Sequence, residues 1–277
     1  MDLYPLGFEE FEDLRSTFIH GIIMQQLADS ARAIEHSRAE QSLIPRRLIR
    51  FWHNPLDLPD DVRTCLESWD RLANEKFTLH MFDDTSATAY IADVYSLREL
   101  QAFERCSHPA MRCDYLRMCF LLAEGGLYVD ADNVLLGEGW RRIFRNGKLK
   151  VQPLCYDMTA GGMMPAADIW RSDLPSEGRV FYVNNDPIAA PAGHPILRRA
   201  LLRSTEKLLS DEPFPEIQST TGPGNFTAAL GAHARHLQLE GASYDFELLR
   251  DWGSIAEMRW DLSYRADARN WRNVYGC

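Results

Sequence analysis

The chain has 277 residues, of which 45% are hydrophobic and 25% charged, and it carries a formal net charge of −10. That length can bury a large core. The negative balance argues against a non-specific nucleic-acid binder, because attraction to phosphate needs a basic face. No stretch has the continuous apolar length of a transmembrane span, and the opening "MDLYPLGFEEFEDL" lacks the basic-then-apolar order of a secretory signal. The six cysteines (65, 106, 113, 119, 155 and 277) show no C-x-x-C spacing, and a reducing cytoplasm is the expected location.

Residues 8–42 place Phe8, Phe11, Leu14, Phe18, Ile22 and Ile23 at helical spacing. They predict an N-terminal helical appendage over 1–43, followed by a single α/β domain over 44–277. A membrane-surface helix fits less well, since the segment is not basic. From Ile44 the texture changes. "IPRRLIRFW" reads as a strand opened by Pro45, and the next segment sets Val62, Cys65, Leu66, Trp69 and Leu72 on one helical face. "FTLHMF" alternates as a strand before Asp83-Asp84, completing a strand–helix–strand unit. A further helix is expected from Pro109, a favoured first-turn residue. It should stop at Gly125-Gly126, where glycine can take the left-handed terminating conformation. "LYVD" follows as a short buried strand. "KLKVQPL" and "GRVFYVNNDPIAAPAGHP" come next, then a helix around "PILRRALLRSTEKLL", a turn-rich "TTGPGNFTAALGAHA" and a strand-like "SYDFELL". The alternation predicts an α/β fold with a mostly parallel central sheet.

The informative stretch is "GGLYVDADNVLL". Isolated carboxylates are costly to bury unless a cation or strong donors meet them. In an extended segment Asp130 and Asp132 point the same way, just past a buried strand, where open α/β sheets bind ligands. Two hard oxygen ligands suit Mg²⁺ or Mn²⁺ and hence a phosphate-bearing substrate; a turn or cap is the plainer alternative. The preceding helix is apolar nearly all round, yet carries Asp114 and Arg117 three apart on one face. That pair is either an internal salt bridge or a polar contact for a ligand.

"CDYLRMCFLLAEGGLYVDAD" resembles the sugar-binding signature of DXD-containing glycosyltransferases, a group of bacterial polysaccharide and fungal mannosyl-type transferases and, more distantly, the large clostridial glucosylating toxins. The shared elements are Asp114, Arg117, the Gly-Gly pair, Tyr128 and Asp130-x-Asp132, with Asp114 lying 16 residues before Asp130. "IPRRLIRFWHN" resembles the family's opening strand, which ends in a base-stacking Trp; that maps onto Trp52, while Ile49 stands where members often carry His. "NNDPIAAPAGHPIL" resembles its mid-chain segment and implies that Asn184 or Asn185 lines the donor pocket. "TTGPGNFTAAL" resembles its T-G-P turn. The usual C-terminal His, followed by Ser-Trp, is missing. Asn270-Trp271, Asp261 and Ser263 are the candidate substitutes, and Arg259, Arg265, Arg269 and Arg272 form either a diphosphate clamp or a solvated basic tail.

The resemblance implies a Rossmann-like GT-A catalytic domain and a retaining hexosyltransferase, of the kind used in polysaccharide biosynthesis. It implies Mn²⁺ or Mg²⁺ held by Asp130 and Asp132, and a nucleotide-diphosphate sugar, expected to be a UDP-sugar. Asp114 and Arg117 would orient the sugar, Tyr128 would sit in the donor site, and Trp52 would stack on the base. The acceptor is a glycan, a protein or a small molecule. Two other readings stay open. "LYVDADNVL" also resembles the haloacid-dehalogenase nucleophile motif, with Asp130 as covalent nucleophile and Asp132 as acid–base. A non-catalytic nucleotide-sugar binder is the other. An EF-hand loop is excluded, because Val134 and Leu135 stand where an oxygen ligand and a glycine are needed.

Overall fold

A computed structural model describes residues 4–8, 11–33, 43–210 and 216–275. The expected N-terminal helix is α1 (Glu12–Ala33). Ile19, Ile22 and Ile23 recur at helical spacing and are fully buried in the same core as the central sheet. Residues 34–42 of the expected helix, and Cys277, lie outside the described residues. Beyond it, the predicted strand–helix–strand unit is present as β1 (Arg47–Phe51), α2 (Asp60–Ser68) and β2 (Thr78–Phe82), with β1 and β2 parallel. The helical pattern in α2 carries on into a 3-10 segment, and Val62, Cys65, Leu66, Trp69 and Leu72 are all buried.

Two helices unforeseen in the sequence come next, α3 (Asp84–Val94) and α4 (Leu97–Glu104). Each opens on a reciprocal capping box, Asp83 with Ser86 and Ser96 with Glu99. Helix α5 (Pro109–Glu124) starts where Pro109 predicts. Its N-cap is His108, whose Nδ1 accepts from the Ala110 amide at 3.1 Å. The helix ends at Gly125-Gly126, both with positive φ (67° and 132°). A Cβ on Gly126 would sit 2.8 Å from the Arg47 carbonyl oxygen, so only glycine lets the chain turn directly into β3 (Gly126–Tyr128) beside β1.

The remaining elements are β4 (Asn133–Leu135), β5 (Leu149–Asp157), β6 (Gly162–Met163), β7 (Arg179–Ala190), α6 (Pro195–Leu209), α7 (Ile217–Thr220), α8 (Pro223–Glu240), β8 (Phe246–Leu248), β9 (Ala256–Met258) and α9 (Trp271–Tyr275). The segment "TTGPGNFTAALGAHA", read as turn-rich, is instead mostly α8. Gly222 and Pro223 start that helix, with Pro223 in its first turn where no amide donor is needed.

The seven-stranded sheet has the order β2-β1-β3-β7-β5-β6, with β8 beside β5. Strands β1, β2, β3, β5 and β8 share one direction, while β7 and β6 run against it. The sheet is thus mostly parallel, as the alternation of elements predicts. Period-two alternation divides its residues between two cores. Ile49, Tyr128 and Ile188 pack on one face with α1, α5, α6 and α8. Leu48, Leu127 and Ala189 pack on the other with Trp69, Trp140 and Trp252. Among the described residues no helix is long and apolar enough to cross a membrane.

Candidate active site

Asp130 and Asp132 lie just beyond the carboxyl end of β3, with the end of β1 on one side and the middle of β7 on the other. From β7 comes an acid that the sequence reading missed. Asp186 accepts from the Asp130 amide at 2.9 Å through one oxygen and from Asn133 Nδ2 at 2.8 Å through the other. One carboxylate oxygen from each of Asp130, Asp132 and Asp186 lies within 4.8 Å of the others. The signal was present in "NNDPIAA", where an acid interrupts a run that is otherwise buried. Its partner, however, is set by strand pairing across distant sequence.

Crowding of like charges shows in the acidity of these groups. Burial, then the Asp130 carboxylate, pushes Asp132 up to about 6 against the pull of Arg265. Burial, then Asp130 and Asp132, holds Asp186 well above the usual carboxylate range. Such a cluster calls for a cation, and its hard oxygen donors fit Mg²⁺ or Mn²⁺. Asp130 and Asp132, which line the cavity described below while Asp186 does not, are the residues that could hold one.

Arg117 ties this cluster to α5. Its guanidinium lies 3.0 Å from Asp114 and 2.9 Å from Asp130, and donates to the Asn185 carbonyl at 2.6 Å. Burial works against this charge, but Asp130 above all, with Tyr128 and Asp114, keeps it firmly protonated. The guanidinium also rests 4.0 Å from the centre of the Tyr128 ring. Tyr128 itself is fully buried beneath the site and does not line the cavity; its hydroxyl donates to Asp130 at 2.6 Å. Asp114 accepts from Asn185 Nδ2 (2.8 Å) and from Thr221 Oγ1 (3.2 Å), so the T-G-P turn meets the first acid of the motif. Burial pushes Asp114 up to about 6, with Arg117 opposing.

A cavity of about 290 Å³ opens over these groups, and Trp52, Asp114, Arg117, Asp130, Asp132, Asn184 and Asn185 all line it. Cys113 also lines it, and burial pushes its thiol up to about 12. Trp52 is pinned by donating its indole N–H to the Asp57 carbonyl at 3.1 Å, and it meets the Tyr264 ring edge-on. The C-terminal segment closes the other side. Arg265, Arg269, Asn270, Trp271 and Arg272 reach the cavity, whereas Arg259 and Asp261 do not line it. Ser263 is committed to Asp61, its amide donating at 2.6 Å. Asp132 receives Tyr264 Oη (3.1 Å) and Arg265 (2.5 Å) on the same oxygen.

The chain is similar to known proteins over part of its length. Residues 59–143 match the family described as "Glycosyltransferase sugar-binding region containing DXD motif". The initiation-specific alpha-1,6-mannosyltransferase of Saccharomyces cerevisiae is 25% identical over 242 residues, covering 76% of this chain and 50% of that protein. The chain therefore spans about half the length of the curated relative it matches. A solved structure titled PaToxG Glycosyltransferase aligns over 95% of this chain and 98% of its own, with a TM-score of 0.47 and 14% identity. Over residues 59–143, from α2 through the paired acids, the chain is similar to the sugar-binding region of the DXD-containing glycosyltransferases.

Proposed function

We propose that the chain is a metal-dependent, retaining glycosyltransferase that moves a hexose from a UDP-sugar to a hydroxyl acceptor. One observation carries the reading: Asp114, Arg117, Asp130 and Asp132 line a single cavity with an aromatic wall at Trp52. Trp52 offers a platform for the base, and Asn184 and Asn185 line the cavity from β7. Asp114, with its carboxylate fixed by Asn185 and Thr221, accepts from sugar hydroxyls. Arg117 is a positioning residue, because its terminal nitrogens are already committed to Asp114, Asp130 and the Asn185 carbonyl. A divalent cation held by Asp130 and Asp132 supplies the positive charge that stabilises the departing diphosphate. The only Asp or Glu side chains lining the cavity, among the described residues, are Asp114, Asp130 and Asp132. All three are committed to the donor, which suits retention without a separate carboxylate base. Among the described residues no lysine lines the cavity, and a phosphatase of the haloacid-dehalogenase type would need one.

The test offers UDP-glucose, UDP-N-acetylglucosamine, UDP-galactose and GDP-mannose with Mn²⁺ or Mg²⁺ and no acceptor, and follows slow hydrolysis. Release of UDP from one UDP-sugar, dependent on the metal, is expected. Phosphate trapped covalently on Asp130 would point to the phosphatase instead.

The weakened acidity of Asp132 adds a pH prediction. With Asp132 near 6, protons compete with the cation below that pH. Mn²⁺ affinity should hold level above pH 7 and fall below 6 by roughly tenfold per unit, as expected for one competing proton. Isothermal titration across pH 5–8 reads this out, and a flat profile would contradict it.

A further inference from the structure

The C-terminal segment holds a group that the reading above leaves without a role. Arg265 places its guanidinium 2.5 Å from Asp132, and both side chains are largely buried, at 16% and 10% exposure. Arg269 is engaged by Asp267 and Asp57, and Arg272 lies over the rings of Trp260 and Trp271. Of these cavity arginines, Arg265 is the one paired with the acid cluster. Its Nε is buried with no hydrogen-bond partner, so the pairing leaves part of its donor capacity unused. A guanidinium has five donors in a planar fork that suits diphosphate oxygens better than a single carboxylate oxygen.

We propose that Arg265 is an exchangeable cation. In the metal-free protein it neutralises Asp132; when a divalent cation takes that carboxylate, the guanidinium transfers to the donor's diphosphate. The inference rests on the metal and nucleotide-sugar reading given above. Like charges do not share one carboxylate edge without cost, so the cation's arrival weakens the Arg265 pairing as the diphosphate brings new acceptors. The backbone is built for a side-chain swing rather than a loop movement. Asn270 Nδ2 and Asn273 Nδ2 each donate to the Arg265 carbonyl at 2.9 Å, and Ser263 is tied to Asp61. The Trp260 ring, 4.3 Å from the guanidinium, gives it an aromatic face to move along. The C-terminal segment, which lacks the family's His, thus offers the diphosphate an arginine that leaves Asp132 when the metal comes.

The experiment uses the full chain and compares wild type with Arg265→Ala and Arg265→Lys. Mn²⁺ alone is titrated by electron paramagnetic resonance, and UDP is titrated calorimetrically with Mn²⁺ saturating. Arg265→Ala should bind Mn²⁺ about tenfold more tightly, because the competitor that occupied Asp132 most of the time is gone. The same variant should bind UDP about tenfold more weakly, having lost a charge-assisted contact. Arg265→Lys should move both values back toward wild type. Opposite signs separate exchange from damage to the fold, which weakens both. Mn²⁺ binding that is unchanged or weaker in Arg265→Ala, or UDP binding that does not fall, would overturn the exchange alone. No Mn²⁺ binding by either chain would overturn the reading of the site and the exchange with it.

Discussion

Asp132→Ala is expected to abolish donor turnover and Mn²⁺ binding together while the protein still folds. The loss in turnover should reach about a thousandfold or more, the scale seen when a group facing developing charge is removed. Stability should change by no more than about 1 kcal/mol, because the deletion has two opposed effects. It strands Arg265, but it also removes one of three crowded carboxylates and so relieves Asp186, whose ionisation that crowding opposes. Thermal unfolding, metal titration and sugar-nucleotide hydrolysis on one preparation would report all three. Normal metal-dependent turnover in this variant would show that the cation lies elsewhere.

Arg117→Ala should behave differently, with loss of stability leading. The side chain is 4% exposed and sits between Asp114 and Asp130. Removing one partner of a buried ion pair leaves uncompensated charge and costs about 3–5 kcal/mol. Asp114, having lost the cation that restrains it, should also become harder to ionise. Arg117→Lys keeps the charge but cannot span two carboxylates and the Asn185 carbonyl at once, so it should recover stability better than turnover. Denaturant unfolding beside kinetics on the two variants would separate the effects. Native stability in Arg117→Ala would mean that the two acids are not held by this charge.

Much of this was legible in the sequence where the signal was local. Pro109 and the Gly-Gly pair fixed the ends of α5; Pro45 opened β1, alternation marked β2, and a short buried run after the glycines marked β3. The D-x-D spacing, in a chain with Asp114 and Arg117 on one helical face, drew attention to the corner of the sheet over which the cavity opens. What escaped was non-local. Asp186 reaches Asp130 only because β7 inserts antiparallel beside β3, a pairing that nothing within "NNDPIAA" specifies. Arg265 and Tyr264 meet Asp132 across more than a hundred residues, and four C-terminal arginines in the sequence look alike. Helices α3 and α4 were missed for a different reason: their capping boxes are short polar signals, beside weak apolar periodicity in α3 and a run of only eight residues in α4. Tyr128 shows the limit of a motif, since its conspicuous aromatic ring supports Arg117 and Asp130 from below.

The parallel register of β1 and β3 has a consequence for which activated sugars the cavity admits. Ile49 stands opposite Tyr128, and each strand then runs a fixed few residues, to Trp52 on one side and to the acids on the other. With Gly126 pressed against the Arg47 carbonyl, neither strand has slack to slide. Under the proposed donor reading, a fixed interval from indole to carboxylates would discriminate between phosphate chains of different length, and a nucleoside monophosphate sugar should bind more weakly than a UDP-sugar.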